Sequence, residues 1–178
     1  MGERQLKFLE FVPLILYYTF ARAATADSAG QQWEIAFVFS GAVSVATLSV
    51  LMRHKNYILN RVMLGANLFL ISGAVAVLLR ISPLLDFYGH MDPAPLFAWV
   101  LAVGVATSLF SAHGFVGSPD SDVKQKHLRS ALLLAAAVVA LVISVLLRGQ
   151  MFYADILPFI GLFLVNDRLQ SKSPKTTG

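Results

Sequence analysis

Six long apolar stretches, separated by short polar segments, dominate the pattern of this chain of 178 residues. They cover approximately residues 8–24, 35–52, 62–79, 95–116, 130–147 and 151–166. A helix needs about 20 residues, and at least roughly 17, to cross the hydrocarbon core of a bilayer. A segment in lipid must satisfy its own backbone hydrogen bonds, so each stretch is predicted to be a helix. The pattern therefore predicts an all-α, polytopic membrane protein with about six transmembrane helices in one domain.

The first and sixth stretches are shorter and are interrupted by acid and proline. Glu10 precedes Pro13 by three residues, and Asp155 precedes Pro158 by the same spacing. Proline is tolerated in the first turn of a helix, where its missing N–H leaves no bond unmade, so both pairs are interpreted as helix starts. A full crossing and a short or re-entrant helix both remain open for these two stretches.

The segments between the apolar stretches are predicted to be loops. Residues 80–94 are predicted to be the longer external loop. Residues 117–129 are predicted to be a polar internal loop, in which residues 118–120 form a turn and a plausible cap for a helix that runs into the fifth span. Serine, proline and aspartate are typical turn residues. The fifth span is expected to begin at Ser130, and the tail from Ser171 to residue 178 is expected to be disordered.

Lysine and arginine alternate between the two sides of the predicted membrane. Eleven of the 14 lie at the termini and in alternate loops: Arg4, Lys7, Arg53, Lys55, Arg61, Lys124, Lys126, Arg129, Arg168, Lys172 and Lys175. The other three are Arg22, Arg80 and Arg148, one in each remaining loop. Basic residues concentrate in cytoplasmic loops, so both termini are predicted to be cytoplasmic.

The composition agrees with a membrane protein and excludes a single soluble core. Hydrophobic residues make up 57% of the chain and charged residues 13%, against about 25% charged residues in soluble domains. The net charge of +4 is divided among short loops, which disfavours nucleic acid as a partner and favours anionic lipid headgroups.

Nothing in the sequence indicates an enzyme. The chain has no cysteine, which excludes disulfides, cysteine-ligated metals and thiol catalysis. It contains no P-loop, no nucleophile elbow and no zinc-protease motif. His90 and Asp92 supply only two ligands, so no metal and no cofactor is predicted.

The first stretch has a competing interpretation as a signal peptide. It has a basic start, a short apolar core and small residues before Asp27 that would suit cleavage. Glu10 and Pro13 within the apolar core argue against it. Cleavage would leave five spans with the same orientation.

Rows of small residues at four-residue spacing predict close helix packing. Such a row lies on one helix face and lets two backbones approach each other. The rows comprise Gly104, Ser108 and Ala112; Ala136, Ala140 and Ser144; and Ser40 and Ser44. Packing within the chain, a homo-oligomer interface and a pore lining are the alternatives.

Three polar residues within the apolar stretches are the candidate site residues. Glu10, Asn67 and Asp155 are suspect because polar groups inside a membrane are costly and often functional. Each also has a structural interpretation: a charge at a helix N-terminus for the two acids, and a bond to a neighbouring helix for Asn67.

The segment at residues 7–20, Lys-Phe-Leu-Glu-Phe-Val-Pro-Leu-Ile-Leu-Tyr-Tyr-Thr-Phe, resembles the start of the bacterial intracellular septation protein A family. Glu10 and Pro13 fall on the matching acid and proline. The resemblance implies a small, multi-pass protein of the bacterial inner membrane that is not an enzyme. It also implies a role in envelope maintenance and septation, with no known catalytic function for either residue.

Two functional hypotheses follow. The first is a non-enzymatic inner-membrane protein that acts through helix-mediated contacts with other proteins of the division or envelope machinery. The alternative is a small transporter or channel with a polar path that includes Glu10 and Asn67.

Overall fold

A computed structural model describes residues 2–22, 29–54, 57–91, 94–111, 114–117, 123–150 and 152–171. These residues are largely helical and contain no β-strand, which confirms the all-α class. A π-helical turn, Phe152–Ile156, precedes the last helix. The α-helices are α1 Glu3–Arg22, α2 Ala29–Arg53, α3 Arg61–Leu78, α4 Ser82–Met91, α5 Ala94–Phe110, α6 Val123–Leu146 and α7 Leu157–Ser171.

Three of the described helices are long and apolar enough to cross a membrane. They are Gln32–Arg53 within α2, Arg61–Leu78 and Val123–Leu146. A fourth crossing is obtained when α4 and α5 are counted together as one broken span. These helices are compatible with a membrane protein, while the number of six crossings stays a prediction.

The predicted external loop is wrong for most of its length, because Ser82–Met91 forms α4. Proline is favoured at the start of a helix, and Pro83 lies in the first turn here. Leu84, Leu85 and Tyr88 recur at helical spacing, but the run is too short to resemble a membrane span. Helical spacing and span length are therefore different signals, and span length alone does not detect a helix as short as α4.

The polar segments at the start of α6 and the end of α7 are helical. The sequence places the start of the fifth span at Ser130, with a helix running into it from the turn at residues 118–120, and α6 begins at Val123. In the turns before Ser130, Arg129 Nη2 donates to Gln125 Oε1 at 3.3 Å, a pair one helical turn apart. Ser171 ends α7 rather than beginning a disordered tail. The predicted turn at residues 118–120 and the tail at 172–178 lie outside the described residues.

The interpretation of Glu10 and Pro13 as a helix start is wrong. α1 begins at Glu3, so Pro13 lies well inside the helix. Leu6 N–H donates to the Gly2 carbonyl, which shows that helical bonding is established before Glu10 is reached. An interior proline removes one backbone hydrogen bond and crowds the preceding turn. The polar residues that start α1 carry no apolar signal, which is why the sequence pattern placed its beginning too late.

The described chain divides into two compact units, of which the first comprises residues up to 59 and residues 66–90. Its core is aromatic. The ring of Phe37 lies 4.8 Å from that of Tyr17, 5.2 Å from that of Phe69 and 5.6 Å from that of Tyr88. The Tyr88 and Ser72 hydroxyls share a hydrogen bond. Four helices are thereby joined around one cluster of rings.

Glycine allows α2 and α3 to approach closely within this unit. A Cβ atom on Gly41 would lie 2.5 Å from Cβ of Ala74 and 2.9 Å from the carbonyl oxygen of Leu70. Gly73 of α3 lies against the ring of Phe37. Arg80, just after α3, lies 3.6 Å from Glu34 near the start of α2. The pairing therefore runs in opposite directions along the two helices, which makes α2 and α3 antiparallel.

The second unit comprises residues 60–65 and residues from 91 onward. In it α5 packs on α6, and α6 packs on the π-helical turn and α7. Gly104 of α5 faces Leu134 of α6 and the ring of Phe115. Gly65 lies against the backbone of Val100, where an added Cβ would come within 2.6 Å of Cα. This unit therefore also relies on small residues at its helix contacts.

Candidate functional site

Glu10 and Asn67 lie together inside the first unit. Each side chain is only 2% exposed. Asn67 Nδ2 donates to the backbone carbonyl of Glu10, with 3.3 Å between the two atoms. The structure thus joins two candidate residues that are 57 positions apart, and it does so through the backbone of α1.

Pro13 lies one turn beyond the Glu10 carbonyl that Asn67 contacts. Its missing N–H would have bonded to the carbonyl of Leu9 in a regular helix. Asn67 bonds to the next carbonyl, that of Glu10, and not to that of Leu9. The bond from Asn67 is therefore a contact between α1 and α3 that is separate from the bond lost at the proline.

A stripe of buried hydroxyl groups lies on α2. Ser40, Ser44 and Thr47 are spaced four and three residues apart, and all three are buried. Ser40 Oγ donates to the carbonyl of Ala36 in the same helix. Ser44 Oγ has no hydrogen-bond partner among the described residues. This stripe supplies polar atoms inside the first unit, in addition to those of Glu10 and Asn67.

Asp155 belongs to the second unit and lies in the π-helical turn before α7. Its side chain is 4% exposed, so it is buried rather than located at an exposed helix start. Pro158 is the second residue of α7, a position where proline fits without loss of a bond. The acid-x-x-Pro pattern therefore has different surroundings at its two occurrences.

The predicted small-residue rows occupy packed positions only in part. Gly104 is buried against α6, Ser108 is partly buried, and Ala112 lies outside the described residues. On α6, Ala140 and Ser144 are buried while Ala136 is partly exposed. The buried stripe of α6 continues through Ala137 and Leu133. An α-helix completes one turn every 3.6 residues. Positions spaced four residues apart therefore rotate gradually away from the packed face.

The sequence prediction missed a polar cluster around the start of α3. Asn60 Oδ1 accepts the backbone N–H of Val62 at 3.0 Å and the side-chain amide of Asn166 at 3.4 Å. Arg61 Nη2 donates to Ser111 Oγ at 2.8 Å. Asparagine is a preferred residue just before a helix, so the capping role could have been predicted from the sequence. The partners lie 106 and 50 residues away and could not.

A second missed contact fixes the turn at residues 114–117. The Phe115 N–H donates to Ser130 Oγ at 3.0 Å, and Gln170 Nε2 donates to the Val116 carbonyl at 2.8 Å. Gly114 has a φ of 61°, which an L side chain rarely adopts. These contacts join α6 and α7 to the turn through backbone groups.

Comparison with known proteins provides no relative. No family model matches the chain, and no curated protein or solved structure matches it. Within the described ranges, no three His, Asp or Glu side chains come together as a metal site. The function must therefore be inferred from the contacts themselves.

Proposed function

We propose that this chain is a multi-pass protein of the bacterial inner membrane that maintains the cell envelope, or supports septation, through helix-mediated contacts. Three helices of membrane-spanning length and hydropathy, or four with the broken pair, support the membrane location. The alternation of basic residues supports an orientation with both termini in the cytoplasm. The likeness of residues 7–20 to the septation family supports the envelope role.

The observation that carries this proposal is that buried polar side chains bond to other elements of the same unit. Asn67 bonds to the backbone of α1, and Asn166 bonds to Asn60. Ser130 Oγ accepts a hydrogen bond from the Phe115 N–H, and the hydroxyls of Ser72 and Tyr88 share a hydrogen bond. Each of these contacts joins two elements of one unit. Such a pattern suits a protein whose interior is built to hold a set of helices in a fixed arrangement.

The exposed helix faces supply surfaces for lipid or for other helices. On α6 the residues Val138, Val139, Val142 and Val145 are each about half exposed, on the side opposite its buried stripe. β-Branched residues lose little freedom when packed because they are already restricted at χ1. A face of this kind suits contact with a second transmembrane helix.

Deletion of the gene is expected to weaken the envelope under low-salt osmotic stress. We expect longer cells and leakage of a periplasmic marker, with both restored by the wild-type chain. Cell length measured by microscopy and marker activity in the medium check this expectation. Normal length and no leakage in the deletion strain under stress would contradict the envelope role.

Transport is a second candidate, favoured by the burial of the Glu10 side chain. A buried ionisable residue in a membrane-spanning unit is a common mark of an ion or proton path. Ser44 and Asn67 would add polar groups to such a path through the first unit. The path would take protons or small solutes, with Glu10 as the residue that exchanges a proton or binds a cation.

Glu10→Gln separates transport from a purely structural role. The change keeps the shape of the side chain and removes its charge, so transport should be lost while the folded yield is unchanged. Flux into proteoliposomes, measured with a pH-sensitive dye, checks this result. Asp86→Asn is the matched control, because Asp86 is an exposed acid on α4 of the same unit. Equal flux in wild type and Glu10→Gln would rule out the transport hypothesis.

A further inference from the structure

An apolar cleft lies along α2 at the surface of the first unit. Its volume is about 480 Å³, within the usual range of roughly 300–1,000 Å³ for small-molecule sites. Two of its walls are half exposed, Ile35 at 54% and Phe39 at 47%. It is lined by Glu34, Ile35, Val38, Phe39, Ala42 and Val77.

The cleft has one charged end and an apolar remainder. The α2 residues that line it recur every three or four positions, so they form a single stripe along the helix. The stripe begins at Glu34 and reaches Ala42 two turns later, near the middle of α2. The alternation of basic residues assigns the Glu34 end to the outer side of the membrane. The cleft therefore runs from the outer headgroup region toward the bilayer centre, as a lipid chain does.

Glu34 at the mouth of the cleft faces a cation. Arg80 Nη1 lies 3.6 Å from Glu34 Oε1, and the arginine side chain is 75% exposed. Exposed ion pairs of this kind hold together weakly. A ligand that carries both a cation and an anion could open the pair and satisfy both partners.

The backbone at Arg80 is unusual. Its φ is 52°, the only positive value among the described non-glycine residues. The N–H groups of Arg80 and Ile81 bond to the carbonyls of Val77 and Ala76, the hydrogen-bond pattern with which many helices end at a glycine. Glycine would adopt this conformation with less strain. An arginine in such a position points to a role for its side chain rather than for its backbone.

We propose that this cleft binds phosphatidylethanolamine from the outer leaflet of the membrane. An acyl chain lies along the apolar stripe, the primary ammonium binds Glu34, and the phosphate binds Arg80. A guanidinium can donate two parallel hydrogen bonds to a phosphate. The ammonium of ethanolamine carries N–H donors for Glu34, whereas choline has none and glycerol has no cation. The inference needs the membrane location proposed above and does not depend on the envelope role.

Lipid binding to the purified full-length protein tests this site. The protein in detergent is mixed with equal amounts of phosphatidylethanolamine, phosphatidylcholine and phosphatidylglycerol of identical chains, and retained lipid is counted by native mass spectrometry. Wild type is expected to retain phosphatidylethanolamine over both competitors. Arg80→Gly should lower that retention by about tenfold or more, because a charge-assisted contact is lost. Its thermal stability should be equal or higher, since glycine suits the backbone there.

Two further variants keep the test decisive. Glu34→Gln should abolish the preference for ethanolamine over choline even if Arg80→Gly proves unstable. Arg148→Gly removes the same charge from a residue that also follows a helix on the predicted outer side, and it should leave retention unchanged. Equal retention of the three lipids by wild type would overturn the proposal. So would equal losses in Arg80→Gly and Arg148→Gly, which would indicate a general charge effect.

Discussion

Gly41→Ala is expected to destabilise the protein, although alanine is the better helix former. The new methyl group would lie 2.5 Å from Cβ of Ala74 and 2.9 Å from the Leu70 carbonyl oxygen. Neither atom is the end of a flexible side chain, so α2 and α3 must move apart. Overpacking of this kind costs about 1–3 kcal/mol, more than the roughly 1 kcal/mol that alanine gains over glycine in a helix. Reversible unfolding in detergent should show a lower free energy of unfolding.

Gly161→Ala provides a control with the opposite expected sign. Gly161 lies within α7 and is exposed, and no atom comes within 4 Å of an added Cβ. The same chemical change should therefore raise the free energy of unfolding by up to about 1 kcal/mol. If Gly41→Ala were as stable as Gly161→Ala, the close approach of α2 to α3 would be wrong.

Asn60→Ala is expected to have an effect of similar size in the second unit. Its side-chain oxygen accepts the Val62 N–H and the amide of buried Asn166. Loss of a helix cap costs about 0.5–2 kcal/mol, and a buried amide deprived of an acceptor adds to that cost. The free energy of unfolding should fall by about 2 kcal/mol. The same detergent unfolding measurement applies.

Asn60→Asp distinguishes capping from a general effect of substitution. Aspartate keeps the accepting oxygen, and its negative charge is favoured at the start of a helix. We expect stability within about 0.5 kcal/mol of wild type. Equal losses in the alanine and aspartate variants would show that the cap and the Asn166 contact contribute little. Asn166→Ala should fall between them, because it removes the donor and leaves the cap in place.

The helical class could be predicted from the sequence because hydropathy alone determines it. Long apolar stretches can only be helices in lipid, and α2, α3 and α6 lie where such stretches were found. The same signal failed for α4 and for the polar start of α6. Helices that are short or polar are determined by local spacing and by partners elsewhere in the chain.

For the candidate site too, the sequence predicts which residues make contacts but not which partners they contact. A polar residue such as Asn67, deep in an apolar stretch, is expected to contact another helix, but its depth does not identify which one. The contact to Glu10 joins residues 57 positions apart. In the sequence, Arg80 is recognisable only as a cation at the end of a helix. Its positive φ and its pairing with Glu34 are visible only in the structure.

The bond from Asn67 to α1 has a consequence for biogenesis. α1 is not among the helices that are long and apolar enough to cross a membrane by themselves. Its donor on α3 is synthesised 57 residues after Glu10, and helices in a bilayer associate only after each has been inserted. α1 can pack on α2 as soon as that helix has been inserted, since the ring of Tyr17 contacts that of Phe37. The Glu10 carbonyl gains its Asn67 donor only when α3 arrives. A nascent chain that ends before Asn67 should therefore hold this part of α1 less firmly than the full chain does.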